Sequence, residues 1–163
     1  GRSVAVVGSG PAGMAVAAEL NKRGHAVTVF ERDEGIGGLM RFGVPDSKLE
    51  KWVIDRRARL LEAEGIVFEC GVDVGRDVGA EELRERFDAV VLATGSRVGR
   101  RLEIPGSELA GVHQAMDYLY QRNRAAARAK GEEPWAEGPD PGEQISAAGR
   151  HLVVIGGGDT GMD

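Results

Sequence analysis

Short apolar runs, each soon followed by glycine, punctuate this chain. Val4–Val7, Ala89–Ala93 and Leu152–Ile155 are continuous and rich in valine, isoleucine or alanine, the pattern of strands covered on both faces of a parallel sheet. After the first run, Pro11 opens a stretch to Arg23 in which Ala12, Ala15, Ala17, Ala18 and Leu20 favour a helix. Gly24 is suited to stop it, and Ala26–Glu31 then reads as a second strand. Strand, helix and strand within about 30 residues predict one right-handed βαβ unit.

Further on, Asp33–Gly38 is a turn-rich loop. Lys48–Glu64 predicts a charged helix with Leu49, Trp52, Val53, Leu60 and Leu61 as its apolar stripe, ended by Gly65. Ile66–Glu69 and Val72–Val74 read as short strands around Gly71, and Leu83 with Phe87 marks a short helix by i, i+4 spacing. Val112–Lys130 predicts an Ala- and Arg-rich helix packed through Met116, Leu119 and Tyr120. Residues 131–149, with Pro134, Pro139 and Pro141, read as a linker. Three regions follow: 1–112 and 151–163 as nucleotide-binding segments, with 113–150 connecting them. The second segment is expected to hold only the truncated start of its domain, and Gly1 in place of Met points to a piece of something longer.

Composition sharpens this into an α/β protein. The 163 residues include 25 Gly, 42% are hydrophobic and 29% charged, which excludes disorder and collagen. A net charge of −5 disfavours nucleic acid or an anionic membrane as partner, no apolar run approaches the roughly 20 residues of a membrane span, and a cytoplasmic location is expected. One cysteine, Cys70, allows neither an internal disulfide nor a four-cysteine metal or iron–sulfur site. It also rules out a dithiol pair, leaving a buried or edge thiol. His25, His113 and His151 are scattered without ligand spacing, so no metal site is assigned. Arg56-Arg57 and Arg84–Arg86 alternate with acids as solvated helix faces do. Trp52 is expected in the core, while Trp135 could dock a neighbouring domain.

The chemistry lies in the glycines. Gly8-Ser9-Gly10-Pro11-Ala12-Gly13 is a G-x-G-x-x-G between strand and helix. The first glycine makes the turn, the second admits a pyrophosphate to the backbone, and the third lets helix pack on strand. The helix N-terminus then offers N–H groups and a positive dipole end to phosphate. Glu31 closes the second strand about 20 residues past the glycines, where a carboxylate accepts hydrogen bonds from a ribose diol. Gly156-Gly157-Gly158-Asp159-Thr160-Gly161 repeats the motif after another apolar strand and predicts a second dinucleotide site. Gly37-Gly38 and Ala93-Thr94-Gly95 complete the set.

Together these residues resemble the two-dinucleotide flavin reductases. The run Leu39-Met40-Arg41-Phe42-Gly43-Val44-Pro45-Asp46-Ser47-Lys48-Leu49-Glu50-Lys51-Trp52-Val53-Ile54-Asp55-Arg56-Arg57 is similar to the glutamate synthase small (β) subunit family. Val90-Val91-Leu92-Ala93-Thr94-Gly95, Ile104-Pro105-Gly106, Met116-Asp117-Tyr118-Leu119 and the second glycine motif follow in the family's order. The resemblance implies a Rossmann-like FAD-binding domain with a parallel sheet, followed by the truncated start of a Rossmann-like NADPH-binding domain. It implies FAD pyrophosphate on Gly8–Gly13, ribose on Glu31 with Arg32 beside it, and flavin contacts from Gly38, Leu39 and Arg41. It further implies an adenine contact near Val74, a closing contact from Ala93, Thr94 and Gly95, and NADPH on Gly156, Gly157, Gly158, Asp159 and Thr160.

The implied activity is hydride transfer from NADPH to FAD. Electrons then leave through iron–sulfur clusters, held in a preceding domain that this chain lacks, to the glutamate synthase large subunit, where glutamine and 2-oxoglutarate become glutamate. The cofactors carry that chemistry, so no catalytic side chain is assigned, and the piece alone is expected to be inactive. The rival readings are a related reductase, dihydropyrimidine dehydrogenase-like or ferredoxin–NADP reductase-like, and a non-catalytic nucleotide-binding module.

Overall fold

The computed structural model describes residues 1–96, 98–132, 145–158 and 161. The expected linker residues Pro134, Trp135, Pro139 and Pro141, and Asp159 and Thr160 of the second glycine motif, lie outside the described residues. The chain divides into two compact units, Gly1–Arg41 with Asp46–Gly95, and Phe42–Pro45 with Ser96–Asp163.

The first unit is a parallel sheet of four strands. β1 (Ser3–Val7), β2 (Ala26–Glu31), β3 (Val67–Cys70) and β4 (Ala89–Leu92) lie in the order β3-β2-β1-β4. Between them run α1 (Pro11–Lys22), the short α2 beginning at Leu39, α3 (Lys51–Ala63) and α4 (Ala80–Arg86). The expected βαβ unit is present, with β1 and β2 in register from Ser3 opposite Ala26 to Val7 opposite Phe30.

Because β1 is apolar on both faces, it serves two cores. Val6, with Val27 and Val29, meets Met14, Ala17 and Ala18 of α1, Leu61 of α3, and Ile66. On the opposite face Ala5, Val7 and Phe30 meet Leu83 of α4. Phe87 adds an edge-to-face contact to Phe30 at 5.8 Å between ring centroids, an arrangement favoured by the ring quadrupoles. At the lower end of the sheet the Ser3 N–H and hydroxyl both donate to Asp88 Oδ2, and these bonds hold the Asp88 carboxyl below its usual pKa.

Several expectations are corrected. Trp52 is 54% exposed and Leu60 50% exposed. The buried side of α3 is Lys51, Ile54, Ala58 and Leu61, so the inward stripe is turned away from the tryptophan. Trp52 instead lies under the Arg56 guanidinium, 5.7 Å from its ring centroid. Val72–Val74 forms no strand, only a single bridge between Val74 and Val78. Leu39–Phe42, to which the sequence assigned no element, is a one-turn helix. Leu152–Ile155 forms no ladder with any described strand, and its four side chains are exposed. An apolar run becomes a strand only where another strand takes its backbone hydrogen bonds.

In the second unit, α5 (Ala115–Ala129) is the expected Ala- and Arg-rich helix, shorter at both ends. Tyr120 stacks on Phe42 with centroids 4.9 Å apart, and Asn123 Nδ2 donates to the Phe42 carbonyl at 3.0 Å. Among the described residues no helix is long and apolar enough to cross a membrane.

The burial on α3 makes a direct contrast. Leu61→Ala is expected to lower unfolding free energy by about 2–5 kcal/mol, as for fully buried leucines, whereas Trp52→Ala should change it by less than about 1 kcal/mol. Urea denaturation followed by circular dichroism checks both. Equal losses would show that Trp52 packs as a core residue.

Candidate dinucleotide site

Beyond the upper ends of β1 and β4 the chain changes direction across the sheet. From β1 it runs by way of α1 to β2 and outward to β3, then returns to the far side of β1 as β4. Such a switch point leaves a crevice at the carboxyl ends of the strands, where nucleotides bind in open α/β sheets. Gly8 stands there at φ 104°, donating its N–H to the Phe30 carbonyl at 2.8 Å. A Cβ on Gly8 would lie 2.5 Å from the Ala93 carbonyl oxygen, and one on Gly13 would lie 1.9 Å from the Gly8 carbonyl oxygen. Both glycines are therefore required by packing.

Gly10 differs. Its φ is −64° and nothing stands within 4 Å of where its Cβ would be. The protein itself gives Gly10 no reason to be glycine, and the open space fits a group brought in against the backbone. Gly10 is the N-cap of α1, with no side-chain cap, no acid in the first turn and Pro11 at its start. The first-turn amides and dipole thus face the opening as an anion would require. Gly38, at φ 53°, stands beside it, since a Cβ there would come within 3.0 Å of the Gly10 Cα.

Glu31 ends β2 and is 5% exposed. Its Oε2 accepts the Ser9 N–H at 3.0 Å and the Ser9 hydroxyl, and its Oε1 accepts the Asp33 N–H at 2.9 Å. The Ser9 Oγ in turn accepts the Gly37 N–H at 3.0 Å. The two features the sequence separated, glycine loop and acidic strand end, are thus directly joined.

Among the other expected residues, Arg41 is 6% exposed; its guanidinium donates to the Ile36 carbonyl and pairs with Asp55 of α3. Leu39 is 39% exposed and Arg32 exposed. Val74 joins the Val78 bridge, and Ala93, Thr94 and Gly95 continue β4 past Gly8, with the Ala93 N–H donating to the Val7 carbonyl at 2.8 Å. The sequence reading missed Gly37 as an anchor, and Asp55 as the partner of Arg41; the spacing of the latter pair gives no signal. It missed as well the buried Lys51 paired with Asp46 at 3.0 Å, which ties down the start of α3.

In the second unit, Gly156 has φ 131°, and a Cβ on Gly161 would lie 2.4 Å from the Gly156 carbonyl oxygen. Gly13 stands against Gly8 in the same way. In each motif the sixth glycine thus stands against the carbonyl of the first.

Cys70 is the register partner of Glu31 across the β2–β3 ladder. Its thiol is pushed up to about 11, first by partial burial and then by the negative charge of Glu31. The residue is otherwise exposed, so the desolvation is that of one face of an edge position.

These features define an α/β dinucleotide-binding protein of Rossmann-like architecture. The pyridine nucleotide-disulphide oxidoreductase family matches residues 2–163, and the chain belongs to that family. It is 53% identical over its whole length to the glutamate synthase [NADPH] small chain of Mycobacterium tuberculosis and 47% identical to that of Bacillus subtilis. It covers 32% and 31% of those proteins, so it spans about a third of the curated relatives it matches. Among solved structures, Mycobacterium tuberculosis FprA in complex with NADPH superposes with a TM-score of 0.69 at 34% identity, over 76% of this chain and 29% of FprA. The resemblance drawn from the motifs, and the parallel α/β fold it implied, are both borne out.

A raised thiol pKa means that the folded protein holds the Cys70 proton more tightly than the unfolded chain does. The stabilisation is present below the ordinary value of 9.0 and is lost as pH climbs through about 11. The pH profile of alkylation by iodoacetamide should therefore have its midpoint near 11. A midpoint at or below 9.0 would show that neither burial nor Glu31 acts on the sulfur.

Proposed function

We propose that this chain is the FAD-binding part, with the opening of the NADPH-binding part, of the small subunit of an NADPH-dependent glutamate synthase. The observation that carries the reading is the open space at Gly10, set at the α1 N-terminus beside Gly38 and next in the chain to Ser9, which is hydrogen-bonded to the buried Glu31. It has the form of a cradle for a pyrophosphate with a ribose-binding carboxylate beside it. The two small-chain relatives, at 53% and 47% identity, support the glutamate synthase and NADPH parts of this reading.

On this reading the backbone of Gly8–Gly13 receives the FAD pyrophosphate, with Ser9, Pro11 and Ala12 shaping the turn and the first helical amides donating. Glu31 accepts from the adenosine ribose, and Arg32 stands beside it. Gly38 and Leu39 face the flavin half, and Arg41, held by Asp55 and the Ile36 carbonyl, fixes that loop. The backbone near Val74 serves the adenine, and Ala93, Thr94 and Gly95 close the switch-point crevice. Gly156, Gly157 and Gly158, with Asp159 and Thr160, form the NADPH site. The bound flavin supplies the exchange between two-electron chemistry at the nicotinamide and one-electron chemistry at iron–sulfur centres.

The residues of this chain bind, orient and exclude water; none acts as acid, base or nucleophile. When bound, FAD would supply the redox link from NADPH towards iron–sulfur clusters elsewhere in the assembly and a large subunit in the cytoplasm that makes glutamate from glutamine and 2-oxoglutarate. FprA, at a TM-score of 0.69, supports the related-reductase reading as the second choice.

Three substitutions test the cofactor site. Gly10→Ala should leave the melting temperature unchanged yet abolish FAD retention, because its methyl group meets only open space in the protein. Gly13→Ala should lose the fold itself, because its methyl group meets the Gly8 carbonyl. Glu31→Ala should weaken FAD by about 1–3 kcal/mol, the range for hydrogen bonds to a charged acceptor. Flavin fluorescence and thermal melts are the measurements. A Gly10→Ala protein that binds FAD as the unsubstituted chain does would remove the pyrophosphate role.

A further inference from the structure

Ser9 occupies a variable position of the glycine motif, yet its side chain is 0% exposed and its hydroxyl makes two hydrogen bonds, both within the protein. It accepts the Gly37 N–H at 3.0 Å and donates to Glu31 Oε2. Giving its one proton to Glu31 and accepting from the Gly37 amide, this hydroxyl orders a chain from backbone amide to hydroxyl to carboxylate, in which each bond polarises the next.

We propose that Ser9 is a positioning residue whose hydroxyl aims the Glu31 carboxylate at a ribose diol and ties it to the Gly37-Gly38 loop. The inference deepens the FAD reading and rests on it. A carboxylate has about four lone-pair directions. The Ser9 N–H and O–H occupy those of Oε2, and the Asp33 N–H occupies one of Oε1. The remaining direction on Oε1 is the one left to a sugar hydroxyl, and the carboxylate cannot rotate toward another without breaking a bond to Ser9 or Asp33. On the other side, the Gly37 amide held by Ser9 belongs to a residue that is itself buried. It adjoins Gly38, whose Cβ position falls within 3.0 Å of the Gly10 Cα. One hydroxyl therefore links the sugar-binding carboxylate to the loop that stands against the phosphate-facing glycine.

The contribution of Ser9 is accordingly to selectivity for the diol rather than to contact with the ligand. The test compares ADP, standing for the adenosine half of FAD, with 2′,3′-dideoxy-ADP on the 163-residue chain and on Ser9→Ala, with circular dichroism reporting the fold. The unsubstituted chain should prefer ADP by about tenfold, the worth of a hydrogen bond to a charged group. Ser9→Ala should shrink that preference to about twofold, with dideoxy-ADP bound as before. An unchanged preference, or equal losses for both ligands, would overturn the positioning role while leaving the FAD reading in place. Failure of the unsubstituted chain to bind ADP would overturn both. Should Ser9→Ala not fold, amide exchange in the unsubstituted chain decides: ADP should slow exchange at Gly37, and unchanged exchange under saturating ADP would overturn the link.

Discussion

A carboxylate removed from water must be met by donors, or it will take a proton or leave the interior. Glu31 is met by the Ser9 N–H and O–H and the Asp33 N–H, and the upper end of the sheet is arranged around that requirement. Three backbone segments converge on the one side chain: the glycine loop after β1, the turn after β2, and, through Ser9, the Gly37 loop. Each is held where it is because a buried charge would otherwise be uncompensated. The open space at Gly10 is what this convergence frames.

The βαβ half of the fold was legible in the sequence because its determinants are local. An apolar run on β1, Pro11 at a helix start, Gly24 at its end and a strand to follow all lie within one supersecondary unit. The packing glycines were legible for the same reason, since Gly8 and Gly13 are neighbours through a single turn. What was not legible depends on direction or on distant partners. Nothing local says that α3 would turn Ile54, Ala58 and Leu61 inward and leave Trp52 and Leu60 outside, because the stripe is diluted by charge. Leu152–Ile155 has the composition of a strand but lacks a ladder among the described residues; composition marks a segment fit to be buried, and only a partner makes it a strand. Serine in a glycine loop reads as a turn residue, so the hydroxyl that joins Glu31 to Gly37 had no sequence signal of its own.

The two glycine motifs sit in different units and share the placement of their first and sixth glycines. Gly8 and Gly156 both take positive φ, and Gly13 and Gly161 both stand where a side chain would strike the carbonyl of the first glycine. The first stands after β1 of the four-stranded sheet, at the start of α1, with the Glu31 carboxylate at the neighbouring strand end. The lone thiol adds nothing to either site: Cys70, across the ladder from Glu31, is pushed away from the reactive thiolate form by its burial and by that same carboxylate. Membership of a family named for disulphide chemistry thus coexists here with a chain that holds a single cysteine.

The role of the upper end of the sheet turns on whether the loop around Gly10 receives a dinucleotide. Titrating the isotope-labelled chain with FAD and following amide chemical shifts tests this without any substitution. The largest shifts should fall on Gly10, Ala12, Gly13, Glu31 and Gly38, with Leu61 and the rest of the core unmoved. Shifts confined to the second glycine motif, or none on these residues at saturating FAD, would contradict it.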